Sequence, residues 1–190
     1  MSNILGHAVI SLAAAAIVML SVIIVGRLID RLGACVVSRS GSKTWAKTAS
    51  FIINRVLFIG TVFHELSHAL LATLAGAKVT KIRCFVLFSK DTLGYVEFTT
   101  RGNPASRAMQ ECLSACAPVM TAFVTVPLFT YLALTYSGRI IWNLLFGYCA
   151  VGILFHASMS RTDVGLYKKG AVVVYPMLSL LLFAIIGLFF

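Results

Sequence analysis

The sequence predicts a mainly α, polytopic membrane protein of about five transmembrane helices with a short membrane-associated β-hairpin. Three observations lead there. The 190 residues have a mean hydropathy of +0.95 and are 59% apolar and only 12% charged, against about 45–50% and about 25% in soluble domains. The apolar residues gather into runs of bilayer-spanning length, for which about 20 residues suffice. One stretch between the runs instead alternates β-branched and aromatic residues around a turn signal. Composition excludes a soluble globular domain and a disordered chain, and leaves room for about five spans with short loops. These form a single integral membrane domain over residues 1–190.

The first run, Ile4 to Gly26, carries no charge and is long enough to span. No Lys or Arg precedes it and it exceeds the core of a signal peptide, so it reads as a retained helix. Residues 27–50 hold Arg27, Asp30, Arg31, Arg39, Lys43 and Lys47 around a Ser/Gly-rich stretch and read as a polar loop. The second span covers about 51–76 and is interrupted by Arg55 and by His64, Glu65 and His68. Ionisable groups inside a span cost about 3 kcal/mol or more, which makes them functional candidates. Lys78 to Phe98 then predicts the hairpin, about 79–98, turning at Lys90-Asp91-Thr92-Leu93-Gly94. A polar stretch, Thr99 to Arg107, closes it. Spans follow at about 108–136, with Pro118 and Pro127 inside, at 140–160 and at 171–190, with 161–169 as a polar connection.

The net charge of +10 comes from sixteen Lys and Arg against six Asp and Glu. The basic residues punctuate apolar runs rather than forming one solvated face, so they read as membrane anchors, and the partner they imply is the lipid bilayer, not nucleic acid. If the spans alternate, residues 27–55 with Arg139 put seven cations on one side, and 78–107 with 161–169 put nine on the other. The positive-inside rule then favours a cytosolic N-terminus, in a cell membrane. Cys35, Cys84, Cys112, Cys116 and Cys149 form no CxxC pair and imply no disulfide framework. Cys112 and Cys116, four apart, are expected to pack rather than to ligate.

The interruption of the second span is His64-Glu65-Leu66-Ser67-His68, an HExxH motif. On a helix, residues i and i+4 share a face, so His64 and His68 can direct two imidazoles at one zinc ion, with Glu65 beside them to handle a water proton. A buried polar cluster holding helices together, or a metal-transport or storage site, would use the same residues. Catalytic zinc usually takes a third protein ligand. Of the other acids, Asp30, Asp91 and Glu97 suit solvated positions and Glu111 suits a helix N-terminus. Asp163, in Ser160-Arg-Thr-Asp163-Val-Gly165, is the strongest choice and His156 the next. At 1.5 Å per residue, Asp163 would lie near the end of the fourth span, whereas His64 and His68 lie well inside the second. A tilt, a helix break near Gly165 or an apolar boundary as late as Lys168 would bring them level. Asn143, Ser158 and Ser160 are available to stabilise an oxyanion, and spacing selects none of them.

A membrane-embedded HExxH, a short β segment, two spans and a late Asp together resemble the site-2 protease class of intramembrane zinc metalloproteases. The likeness covers roughly residues 55 to 170, and Phe63-His-Glu-Leu-Ser-His-Ala-Leu-Leu-Ala-Thr-Leu-Ala-Gly-Ala-Lys-Val-Thr-Lys-Ile82 carries it most specifically. The late motif is closer to a Ser-x-x-Asp variant than to the class's Asn-Pro-Asp-Gly or Leu-Asp-Gly forms. The resemblance implies zinc held by His64, His68 and Asp163, with Glu65 as catalytic acid and base. It also implies a substrate protein with a transmembrane helix, captured by a re-entrant hairpin on the cytosolic side. A non-proteolytic metal-binding protein, or a transporter or scaffold component, is the alternative from a different class.

Overall fold

In lipid the backbone must satisfy its own hydrogen bonds, and this chain does so almost entirely as helix. The computed structural model describes residues 2–39, 41–86, 93–136 and 139–189. Its elements are α1 (Ser2–Ser38), α2 (Lys43–Phe51), α3 (Phe58–Leu74), β1 (Lys78–Arg83), β2 (Tyr95–Thr99), α4 (Pro104–Thr135), α5 (Ile140–His156) and α6 (Arg161–Phe189). Helices α1, α4 and α6 are each long and apolar enough to cross a membrane. Helices α2 and α3, joined by a π-helical turn at Ile52–Val56, bend by 52° and qualify as one broken span. Helix α5 is apolar but has 17 residues, about 25 Å of helix against a core of about 30 Å. Large apolar side chains such as Leu134, Ile140, Val172 and Leu188 are exposed along the helices, as lipid-facing surface requires.

Two stretches expected as polar connections are helical. Helix α1 continues through Arg27, Asp30 and Arg31, which lie on its exposed side, because nothing in 27–38 breaks a helix; the chain turns at Gly41, with φ +65°. Lys43–Phe51 is also helical, and the Trp45 indole N–H donates to the Val36 carbonyl at 2.8 Å, folding α2 back on α1. Residues 161–169 form the first turns of α6, ten residues ahead of the expected start. Lys168 and Lys169 are exposed there while Tyr167 and Gly170 face inward, so a polar sequence still has an apolar face to bury.

The expected alternation of five spans also fails between the last two. Going down α4 from its C-cap, Tyr136 meets Trp142 and Phe146 edge-on, Ala122 clusters with Ile153 and Ala157, and Cys112 and Cys116 cluster with Tyr167. At Gly170 an added Cβ would overlap the Ala108 carbonyl oxygen and Cys112. Helices α5 and α6 therefore pass α4 in one direction, as a single rod broken at 157–160. Helix α6 then continues along α1, with the Tyr167 hydroxyl donating to the Met19 carbonyl at 2.8 Å and the Tyr175 hydroxyl to that of Leu12 at 3.3 Å.

The hairpin forms close to its expected place. Strands β1 and β2 pair antiparallel with Lys78 opposite Thr99 and Arg83 opposite Tyr95, through an irregularity between Val79 and Lys81. Residues 87–92, including Lys90, Asp91 and Thr92 of the turn signal, lie outside the described residues. Beyond the strands the hairpin follows α3 back toward its start. Phe85 packs on Phe58 with ring centroids 5.4 Å apart, and Arg55 donates to the Val86 carbonyl at 3.2 Å.

The close approach at Gly170 yields a stability test. Gly170→Ala should cost about 1–3 kcal/mol by overpacking, read as a lower thermal unfolding midpoint in detergent. Gly187→Ala, where an added Cβ meets nothing within 4 Å, should leave that midpoint unchanged.

Candidate metal centre

The two histidines sit one turn apart on α3, with ring centroids 4.7 Å apart at 76°. Each ring is held by a backbone carbonyl of a different helix. His64 Nδ1–H donates to the His156 carbonyl of α5 at 2.7 Å, and His68 Nδ1–H donates to the Ser114 carbonyl of α4 at 2.7 Å. A carbonyl can only accept, so each Nδ1 carries a proton, and in the neutral ring Nε2 then presents its lone pair. The two Nε2 atoms lie 3.1 Å apart, close enough to share a proton or a metal ion. Asp163 Oδ2 lies 3.7 Å from His68 Nε2, and one ligand atom from each of the three residues falls within 4.8 Å of the others. Tetrahedral ligation at about 2.0–2.1 Å sets ligand atoms about 3.3 Å apart. His64, His68 and Asp163 could therefore hold a metal ion.

Asp163 reaches this position through the break between α5 and α6. The break lies at 157–160, earlier than the expected place near Gly165, and α6 restarts there with a reciprocal cap. Ser160 N–H donates to Asp163 Oδ2 at 2.9 Å, and Asp163 N–H donates to Ser160 Oγ at 3.1 Å. This is a capping box, with Ser160 at the N-cap and Asp163 three residues on. The first helical bond, from Val164 N–H to the Ser160 carbonyl at 3.0 Å, follows directly. The depth mismatch disappears because α6 begins beside His68 and Asp163 belongs to its first turn.

The remaining candidates fall elsewhere. His156 contributes its carbonyl rather than its ring: its Nδ1–H donates to the Gly152 carbonyl at 2.9 Å, and its Nε2 is buried with no partner among the described residues. Glu65 is buried and lines a cavity of about 310 Å³ together with Thr61, His64, Gly94, His156 and Ser158. The hairpin presses on Glu65, since a Cβ at Gly94 would stand 2.7 Å from its Cγ. Of the three oxyanion candidates, Ser158 lines this cavity, Ser160 caps α6, and Asn143 is not among the lining residues. Asp30 lines a different cavity with Arg27 and Arg161. Glu97 pairs with Lys81 at 3.8 Å, and Asp91 lies outside the described residues. Glu111, expected at a helix N-terminus, stands two turns inside α4, which starts at Pro104 behind the Asn103 cap. Cys112 and Cys116 are buried in the core between α1, α4 and α6, as packing residues.

Sequence reasoning missed the two carbonyl holders, at Ser114 and His156, because a backbone acceptor carries no residue-type signal. It could have found the Ser160 cap, since Ser-x-x-Asp ahead of an apolar run is a helix-start pattern. Compared with known protein families, with curated proteins and with solved structures, the chain finds no match.

Asp163 Oδ2 serves the cap and is also the carboxylate oxygen nearest His68, which fixes an expected outcome. Ser160→Ala should lose about 1 kcal/mol of stability and weaken metal binding about ten-fold or more, by thermal unfolding and by competition against a chromogenic chelator. Loss of stability with unchanged metal affinity would separate the cap from the site.

Proposed function

We propose that this protein is a zinc-dependent intramembrane endopeptidase of the site-2 protease type, hydrolysing a peptide bond in or near a transmembrane segment of a substrate protein. The observation that carries the reading is the convergence of His64, His68 and Asp163, with His64 shared between that group and the cavity that the buried Glu65 lines. Two neutral imidazoles and a carboxylate are a donor set that suits zinc. When bound, zinc would supply Lewis-acid polarisation of the scissile carbonyl and a lowered water pKa. The residues of the chain do the rest. The His156 and Ser114 carbonyls keep both Nε2 atoms aimed inward. Glu65 takes the proton of the attacking water and returns it to the departing amine.

A transmembrane helix hides its peptide bonds in its own hydrogen bonds, so a substrate must be unwound before attack. Strand β2 pairs with β1 alone among the described residues, and its Gly94 end rests on Glu65. Its open edge can take up an extended substrate segment by strand addition and deliver it to the cavity. In this reading the bilayer surrounds the apolar helices, the cell membrane is the site of action, and the N-terminus and hairpin share the cytosolic side.

The test is cleavage of a transmembrane substrate by purified protein in liposomes. Glu65→Gln should retain stoichiometric zinc by elemental analysis and lose at least about 100-fold in cleavage rate, whereas His64→Ala and Asp163→Ala should bind zinc more weakly and lose cleavage. Cleavage that survives Glu65→Gln, or zinc bound without hydrolysis of any such substrate, would instead favour a non-proteolytic metal-binding, transport or scaffold role.

A further inference from the structure

We infer that the crossing of Gly60 and Gly152 is the positioning element of the metal centre: it sets the distance between α3 and α5 at which the His156 carbonyl can hold the His64 ring. The inference rests on the metal reading of the site and assigns residues that touch no ligand. Gly60 and Gly152 each stand one helical turn before a member of the bonded pair, His64 on α3 and His156 on α5. A Cβ at Gly60 would overlap the Gly152 carbonyl oxygen and His156 Nδ1, so the two backbones meet where only glycine fits. The Gly152 carbonyl also accepts the His156 Nδ1–H at 2.9 Å, which folds that ring over Gly60. This leaves the His156 carbonyl, at the end of α5, to take the His64 Nδ1–H at 2.7 Å. The contact works in series with the elbow, since the chain that leaves His156 reaches Asp163 seven residues later. Separating α3 from α5 would therefore release the His64 ring and shift the carboxylate at once.

The two glycines are not equivalent, which makes the proposal measurable. A Cβ at Gly152 would meet the Ile59 side chain at 2.7 Å and the Gly60 nitrogen at 3.4 Å, and the Ile59 methyl can move aside. A Cβ at Gly147, five residues earlier on α5, meets nothing within 4 Å. Metal affinity should therefore fall in a fixed order: unchanged in Gly147→Ala, modestly weaker in Gly152→Ala, and about 10–100-fold weaker in Gly60→Ala, the range expected when a second partner of a metal-bound histidine is lost.

The experiment titrates the full-length protein in detergent with zinc and with cobalt, and records the visible spectrum of the cobalt form as a direct reading of ligand geometry. Unfolding midpoints of the chelator-treated proteins are measured alongside. The stated order of affinity, with an altered cobalt spectrum in Gly60→Ala, supports the proposal. If Gly60→Ala does not fold, Gly152→Ala and Gly147→Ala decide it by the same comparison. Variants that lose stability but bind metal with wild-type affinity and spectrum overturn it and leave the crossing as packing only. A wild-type protein that binds neither metal overturns the metal reading itself, and this proposal with it.

Discussion

The hydrogen bond from His64 to the His156 carbonyl is the interaction on which the rest of the site depends. It joins the helix that carries two of the three residues that could hold a metal ion to the helix that leads into the third, and it fixes which nitrogen of the ring faces the other two. Its counterpart, from His68 to the Ser114 carbonyl, ties the same helix to α4. The Ser114 hydroxyl answers by donating to the His68 carbonyl at 3.3 Å. With both imidazole rings anchored outside their own helix, the centre exists only when α3, α4 and α5 are in register. Small residues permit that register: Gly60, Thr61, Ser67, Ala69 and Ala72 make up most of the buried face of α3, and Ser114, Ala115 and Ala117 are buried on α4. Close approach of this kind is how helices associate where no hydrophobic force separates them from their solvent.

The two segments that carry His64, His68 and Asp163 are each interrupted just before these residues. The π-helical turn at Ile52–Val56 precedes α3, and the Tyr148 hydroxyl takes up the carbonyl of Val56 freed there, at 2.8 Å. The elbow at 157–160 precedes α6, and the Ser160–Asp163 cap takes up amides that the elbow frees. Irregular backbone at this depth is tolerated where it is enclosed by protein or lines a cavity. Here Ile53 and Asn54 of the turn and Ser158 of the elbow line the cavity that holds Glu65. The breaks thus help to line the space beside the buried carboxylate of Glu65. They also let the carboxylate of Asp163 approach His68 without a separate loop.

Much of the fold was legible because bilayer physics writes itself into sequence as long uncharged runs. Helix α3, the hairpin and α4 fall close to their expected positions, α1 starts as expected but runs on to Ser38, and α2 occupies part of the expected loop; the HExxH spacing picks out His64, His68 and Glu65 from sequence alone. Asp163 could be chosen because so few acidic residues compete with it. What stayed hidden was relational. Polarity marked residues 161–169 as a connection, but a helix with an inward Tyr167 and Gly170 and outward Lys168 and Lys169 satisfies the same composition. The common direction of α5 and α6 depends on pairwise packing along α4, which no local pattern encodes. His156 looked like a ligand because its ring chemistry is visible in sequence, whereas the contribution of its carbonyl is not.

The central claim is that His64, His68 and Asp163 jointly ligate one metal ion. X-ray absorption of the zinc-loaded protein tests it most directly, because imidazole rings leave a multiple-scattering signature distinct from that of carboxylate or water. The account predicts two imidazole nitrogens at about 2.0–2.1 Å with oxygen completing the shell, and one imidazole fewer in His64→Ala. A bound metal whose shell contains no imidazole pair, or one unchanged by His64→Ala, would contradict it.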